Sequence, residues 1–352
     1  MTDHLTPAAA LARTSGGLDD TAVGVLGGCP VLVLDLGGPT EVSELVRLRE
    51  VLAGAPCVVV GMAPSAILDR HVDDLLDVAL CGADMAPAPW VACGAALDDE
   101  VEQLVTAVES SPAASVALVQ LLRLGERSTV ADAVVAESFV YSLLQSGDHH
   151  RRWLRERSDR PRRPRPEGRV VVVERSGDHL TVVLDRPDVR NAYGTRMRDE
   201  VAEAFRLVAA DPTITSVELR GTGPVFSSGG DLDEFGTAPS PLDAHLVRTT
   251  RNAGIALATV AGRVTAHVHG ACVGAGVELP AFAARVIADP DTTFRLPEVA
   301  MGLVPGAGGT ASIPRRIGRH RTAHLALLGA PIDADRARSW GLVDAVEPVG
   351  GR

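Results

Sequence analysis

The chain contains no lysine: all 34 of its strongly basic side chains are arginine. Schiff-base chemistry by a lysine amine is therefore excluded, and any grip on phosphate must come from guanidinium groups or backbone N–H donors. Long apolar runs are missing too. None approaches the roughly 18 residues of a membrane span, and the stretch from Met1 to Asp20 lacks the charged-then-apolar layout of a secretory leader. A cytoplasmic protein without a membrane partner is expected. Cysteine is scarce and odd in number, with Cys29, Cys57, Cys81, Cys93 and Cys272 mostly in apolar segments and no CxxC spacing. These read as reduced core residues. Basic charge is also short: 45 acidic against 34 basic residues leave a net charge of −11, which argues against a general nucleic-acid role.

What the sequence does hold is apolar material, 46% of 352 residues, enough for a sizeable core and more than one average domain. A first domain over residues 1–150 and a second over 169–352 are expected. Between them, the run Arg151–Gly168 replaces apolar periodicity with arginine and proline and reads as an extended, self-repelling linker, a solvated hinge rather than a contact for an anionic partner. After it, Arg169–Glu174 and Leu180–Leu184 read as a hairpin around Gly177. Met197–Ala209 reads as a helix, Ser216–Leu219 as a strand, Leu246–Val260 as a helix, Val264–Val268 as a strand and Glu278–Ala284 as a helix. The first domain repeats that order more thinly, with strands Val31–Leu36, Cys57–Met62 and Val78–Cys81 and helices Glu41–Leu52 and Val72–Asp77. Helices alone follow, over Asp98–Ser110, Ala113–Leu124 and Thr129–Leu144. The fold class is α/β, and the matching order of Val31–Met62 and Leu180–Gly221 suggests a degenerate internal repeat.

Chemistry concentrates in the second domain. Phe226-Ser227-Ser228-Gly229-Gly230-Asp231-Leu232 and Gly270-Ala271-Cys272-Val273-Gly274-Ala275-Gly276-Val277-Glu278-Leu279 are small-residue loops, and Glu278 and Glu298 are two carboxylates nearby. Small residues let a backbone approach a ligand and offer N–H donors to a developing oxyanion. Two carboxyls can divide acid and base work on one water. A dinucleotide fingerprint fails, because the third glycine position after Gly274 and Gly276 is Leu279 and no Gly-Lys-Ser/Thr follows. Pro305–Thr310 is a glycine-rich turn into a helix, read as packing beneath the site rather than as a phosphate cradle. His267 and His269 lack companions at metal-ligand spacing, and neither a metal nor another cofactor is expected.

Residues Leu184–Val346 resemble the enoyl-CoA hydratase/isomerase (crotonase) superfamily. The resemblance rests on Arg186-Pro187 with Asn191-Ala192, then Phe226–Leu232, Gly270–Leu279, Pro297-Glu298 and Gly302–Thr310, five motifs in the family's order, followed by Gly341-Leu342-Val343-Asp344. It implies a crotonase-like spiral of ββα units, an acyl-CoA thioester substrate, and a trimer or hexamer of identical chains. It also implies an oxyanion hole formed by the backbone N–H groups of Gly230 and Ala275, with Ser228, Gly229, Asp231, Leu232 and Gly274 beside the substrate. Glu278 and Glu298 match the two carboxylates of the hydratases, whereas members that only shift a double bond commonly keep the second alone. Addition of water to a 2-enoyl-CoA is therefore the expected reaction. Isomerisation, thioester hydrolysis, decarboxylation, carbon–carbon cleavage, or a non-catalytic acyl-CoA-binding subunit are the alternatives that the same loops allow.

One departure stands out. Family members usually continue past the Gly-Leu-Val tail with helices that cover the acyl-CoA. Here helices of similar character, including Glu137-Ser138-Phe139-Val140-Tyr141-Ser142, precede the catalytic part. The expectation is that the first domain supplies the lid, from the same chain or from a neighbouring subunit.

Overall fold

The computed structural model describes residues 4–14, 23–157, 163 and 167–350. Strands β1 (His4–Leu5), β2 (Val31–Asp35), β3 (Val58–Ala63), β4 (Val78–Cys81) and β5 (Val91–Ala92) form one sheet in that order, every pair parallel. Parallel neighbours need crossovers, and helices α1 (Pro7–Thr14), α2 (Val42–Leu52) and α3 (Arg70–Leu75) supply the first three. Successive side chains of a strand point to opposite faces, and here both faces are covered. Leu32 and Leu34 join α2 through Leu45, Leu48 and Leu52. Val31, Val33, Val58 and Val60 join a different cluster, with Val101, Leu104 and Val108 of α4 (Leu97–Ser110). Burial on both faces explains why these strands read as continuous apolar runs.

Helices α5 (Pro112–Gly125), α6 (Val130–Gln145) and α7 (Asp148–Glu156) complete this half. Pro112 opens α5 where it lacks no helical partner, and α4 and α5 meet at 107°. No single helix among the described residues is long and apolar enough to cross a membrane. The α7 helix corrects one expectation: Arg151–Glu156 is helical rather than extended, led by Asp148 in its first turn. Of the remaining linker, residues 158–162 and 164–166 lie outside the described residues.

In the second half, β6 (Val171–Ser176) and β7 (His179–Leu184) form the expected hairpin, with Gly177 at φ +62° in its turn. Helix α8 (Thr195–Ala210) leads to β8 (Ser216–Gly221). Then come α9 (Pro241–Thr250), α10 (Ala253–Ala258), β9 (Val264–Val268), β10 (Ala271–Val273), α11 (Ala275–Glu278), β11 (Arg285–Ala288) and β12 (Thr293–Arg295). The chain ends with α12 (Gly309–Ser312), α13 (Pro314–Leu328), β13 (Ile332–Asp333), α14 (Ala334–Trp340) and β14 (Ala345–Val346). The strands make a six-stranded sheet, β14-β11-β9-β8-β7-β6, and a three-stranded one, β10-β12-β13. This is the α/β fold expected of the crotonase class.

Two helices differ from their expected bounds for visible reasons. The run Leu246–Val260 breaks at Arg251, because the Asn252 side chain accepts from the Ile255 N–H at 2.9 Å and starts a new helix. The helix expected over Glu278–Ala284 instead occupies Ala275–Glu278, since Pro280 lacks the N–H to continue it and opens a 3₁₀ turn.

The halves share one hydrophobic cluster, running from Val31 to Val343. Charged groups of α13 finish the first half's backbone: Arg319 donates to Asp73 O at 2.8 Å and to Leu76 O, closing the carbonyl end of α3, and Arg321 donates to Trp90 O at 3.0 Å. His324 Nε2 sits 2.7 Å from a Glu100 carboxylate oxygen.

Candidate active site

The expected loops are brought together by one buried asparagine. Asn191, at φ +52° and wholly enclosed, accepts from the Arg186 N–H at 2.7 Å and donates to Thr222 O at 2.8 Å and Phe226 O at 3.1 Å. Asparagine tolerates the left-handed region better than most residues, so the Arg-Pro…Asn-Ala motif acts as a clamp on the following glycine loop. That loop continues by pairing: Phe226 N donates to His269 O at 2.9 Å and Val273 N to Ser227 O at 3.0 Å, which lays residues 226–229 against 269–274. A Cβ on Gly229 would lie 2.7 Å from Val273 O, and one on Gly276 would lie 2.6 Å from Ser227 O. Glycine is required at both because two backbones pass there.

This approach leaves two donors open. Among the described residues, neither the Gly230 nor the Ala275 N–H has an acceptor in the chain, and both residues line one cavity of about 370 Å³. Glu278 and Glu298 line the same cavity. Glu278, at the end of α11, is 2% exposed, and its Oε2 accepts from the N–H groups of Ala307 at 2.7 Å and Gly309 at 2.8 Å. Burial pushes its carboxyl up to about 7, against the pull of those two hydrogen bonds. Glu298, in the turn Glu298–Met301, is half-buried overall, but its Oε2 is enclosed with no hydrogen-bond partner among the described residues. Burial first, and the neighbouring Glu278 charge second, hold it well above the usual carboxylate range. The two enclosed oxygens are thus unequally provided: Glu278 Oε2 takes two backbone donors and Glu298 Oε2 takes none.

The first half contributes directly, in the same chain. Tyr141 and Gln145 of α6 line the cavity, and Tyr141 lies so close to Gly306 that a Cβ there would sit 2.4 Å from its ring. The Arg248 guanidinium of α9 stands 4.6 Å from the Tyr141 ring centroid and donates to Ser138 O at 3.2 Å, fastening α9 to α6. Behind the cavity wall, Glu137 of α6 is 1% exposed. Its Oε1 accepts from Gly308 N at 2.7 Å, and its Oε2 accepts from Thr310 N at 2.9 Å and Thr310 Oγ1 at 2.7 Å. The sequence assigned no role to Glu137 or Tyr141. The signal available was the resemblance of the Glu137–Ser142 run to helices that elsewhere follow the catalytic part.

Of the residues expected at the site, Glu278, Glu298, Gly230, Ala275 and Asp231 line the cavity. Ser228, Gly229, Leu232 and Gly274 do not. Ser228 N donates to Arg190 O at 2.9 Å, and Gly274, at φ +49°, donates to Arg295 O at 2.9 Å, so these two set loop shape. The Asp231 carboxylate is engaged by Arg186 at 3.1 Å and Arg163 at 2.8 Å. In the Pro305–Thr310 turn four donors are taken by buried carboxyls: Ala307 and Gly309 give theirs to Glu278, Gly308 and Thr310 to Glu137. His267 lies on β9, 3.6 Å from Glu218, and His269 follows that strand, its Nε2 2.9 Å from Gly223 O.

Comparison with known proteins gives this arrangement its relatives. Residues 175–350 match the family model described as enoyl-CoA hydratase/isomerase. The chain is 32% identical over 180 residues to a mevalonyl-coenzyme A hydratase of Beauveria bassiana, covering 49% of this chain and 64% of that protein. It is 32% identical over 178 residues to the 2,3-dehydroadipyl-CoA hydratase of Escherichia coli, covering 51% and 69%. It is 34% identical over 168 residues to the 1,2-epoxyphenylacetyl-CoA isomerase of the same organism, covering 47% and 64%. Among solved structures, an enoyl-CoA hydratase of Thermoplasma volcanium is similar at 31% identity and a TM-score of 0.48, covering 52% of this chain and 73% of that one. The matched stretch thus spans just under two thirds of two of these three curated relatives.

Proposed function

Because the chain belongs to the enoyl-CoA hydratase/isomerase family, we propose that it adds water to the double bond of a 2-enoyl-CoA thioester, with Glu278 as general base and Glu298 as general acid. The observation that carries this reading is the unequal provision of the two cavity carboxyls: two backbone donors on Glu278, none on the enclosed Glu298 oxygen. Donors favour the ionised form, and burial without donors favours the protonated form. As pH rises the pair therefore gives up the Glu278 proton first, and the proton it keeps resides on Glu298.

The reaction then balances atom by atom. Water between the carboxyls gives a proton to Glu278 as its oxygen bonds to Cβ. The electrons of the double bond move towards the thioester carbonyl, whose oxygen takes up negative charge between the open N–H groups of Gly230 and Ala275. Backbone donors fixed before the reaction stabilise that charge without reorganising. Glu298 then delivers its proton to Cα, and exchange with solvent restores both carboxyls. The first half of the chain, on this reading, is a degenerate repeat of the second whose helices complete the acyl-CoA cavity.

The test is the loss of enoyl absorbance with crotonyl-CoA and with a longer 2-enoyl-CoA, for the wild type, E278Q and E298Q. Each substitution is expected to lower kcat by about 10²- to 10⁴-fold with thioester binding retained, the usual contribution of a positioned acid or base. Turnover that leaves the thioester unhydrated, or none at all despite binding, would overturn the hydration reading.

A further inference from the structure

Hydration as proposed uses two of the three carboxyls gathered here, and the third is the more deeply enclosed. Glu137 does not line the cavity, yet it is nearly inaccessible and receives three hydrogen bonds. A buried carboxyl needs that company to offset its desolvation. The donors it takes interleave with those of Glu278: along the turn, N–H groups 307, 308, 309 and 310 go alternately to Glu278 and Glu137. Neither carboxyl can shift without moving the turn that holds the other, and Gly308, at φ +105°, gives the turn the conformation that splits its donors.

We propose that Glu137 is a positioning residue of the site, which from the first half of the chain fixes the 307–310 turn against Glu278 and keeps the shared proton on Glu298. Charged and titratable groups face it from every side: Tyr141 on its own helix, Arg248 on α9, Glu278 on α11, and Glu298 on the 298–301 turn. Arg248 is cationic and Tyr141 is held neutral, so the carboxyls respond mainly to one another and titrate as a cluster. Burial and the Glu278 charge push Glu137 up to about 8, against the pull of its three hydrogen bonds. A negative charge on Glu137 raises Glu298 further, so it opposes loss of the Glu298 proton.

This inference rests on the hydration reading, and its test separates the two. E137Q removes the charge, while E137D keeps the charge but withdraws it by one methylene. In the pH profile of kcat, E137Q is expected to move the alkaline limb to lower pH, leave the acid limb near 7, and lower kcat about tenfold with KM little changed. E137D is expected to lower kcat by a similar factor with both limbs in place. A merely structural glutamate would lower kcat in E137Q without moving a limb, and that result overturns the proposal. Should E137Q fail to fold, wild-type kcat in E137D would overturn it equally. Infrared titration of the protonated carboxyls needs no turnover: E137Q should lose one titrating group and shift the highest remaining one downward. A chain that hydrates no enoyl-CoA but shows that shift would sink the hydration reading alone, and an unmoved titration would sink the role of Glu137.

Discussion

Two glycine-rich segments meet the cavity, and they end in opposite states. The pair formed by Ser228–Gly230 and Gly274–Gly276 leaves the N–H groups of Gly230 and Ala275 without acceptors, whereas Ala307–Thr310 surrenders all four of its N–H groups to two buried carboxyls. Both lead into short helices, α11 and α12, whose starts present donors. What separates an open pair of donors from a closed structural turn is therefore not glycine content but the presence of an acid, brought from elsewhere in the chain, to fill the donors. At α12 the acids are Glu278 and Glu137. At α11 the neighbouring acid, Glu298, approaches Gly274 without accepting from it, since Gly274 N is already bound to Arg295 O.

The sharpest way to break the comparison is to close the open pair. Gly274 holds φ +49° and ψ −116°, a region that strains any residue with a Cβ, and the added carbon of G274A would lie 2.4 Å from Glu298 Oε1. Both the open donor at Ala275 and the acid should be displaced together. Expected is a loss of kcat/KM of about 10³-fold or more, with a stability cost of about 2 kcal/mol by thermal or denaturant unfolding. Wild-type turnover in G274A would show that the two loops need not meet so closely.

A second test titrates the closed turn through stability. Glu137 has a folded-state value of about 8 against an ordinary 4.5, so between those limits the native state holds a proton that the unfolded chain has released. Stability then falls as pH rises through this window, and what the protonated carboxyl contributes is fully present only below about 4.5. Glu278, raised to about 7, acts in the same direction over a narrower window. The wild type should show Tm declining from pH 5 towards pH 8, and E137Q, which has no proton to lose there, should show a shallower decline. Equal slopes would mean that the Glu137 hydrogen bonds fully offset its burial.

Much of this frame was legible in the sequence. The helices of residues 97–145, the strands β2 to β4 and β6 to β9 and the order of the glycine loops follow from periodicity and small-residue spacing, because each is a local property. The break at Asn252 and the early stop before Pro280 were also written in residue types, a capping side chain and a missing N–H, but the apolar pattern ran across both and concealed them. The role of Glu137 could not be read. Its partners lie at Gly308 and Thr310, in the other half of the chain, and no local pattern distinguishes a helical glutamate that faces solvent from one that faces a glycine turn. Burial decides that, and burial is a tertiary fact.

The smallest expected effect sharpens the comparison from the open side. If Ala275 acts through its N–H alone, its methyl should be dispensable: A275G retains the donor, the helix start and both carboxyls. The cost is conformational, since glycine loses more freedom than alanine on entering a helix, about 0.5–1 kcal/mol. That should appear as a Tm lower by a few degrees, with kcat/KM within about threefold of wild type. Ala275 is 4% exposed, so removing its methyl also leaves a small gap beside the cavity, which should relax discrimination between short and longer acyl chains before it affects turnover of either. A tenfold or larger loss on crotonyl-CoA would mean that the side chain itself positions the thioester, and the open pair would then differ from the closed turn in shape as well as in unfilled donors.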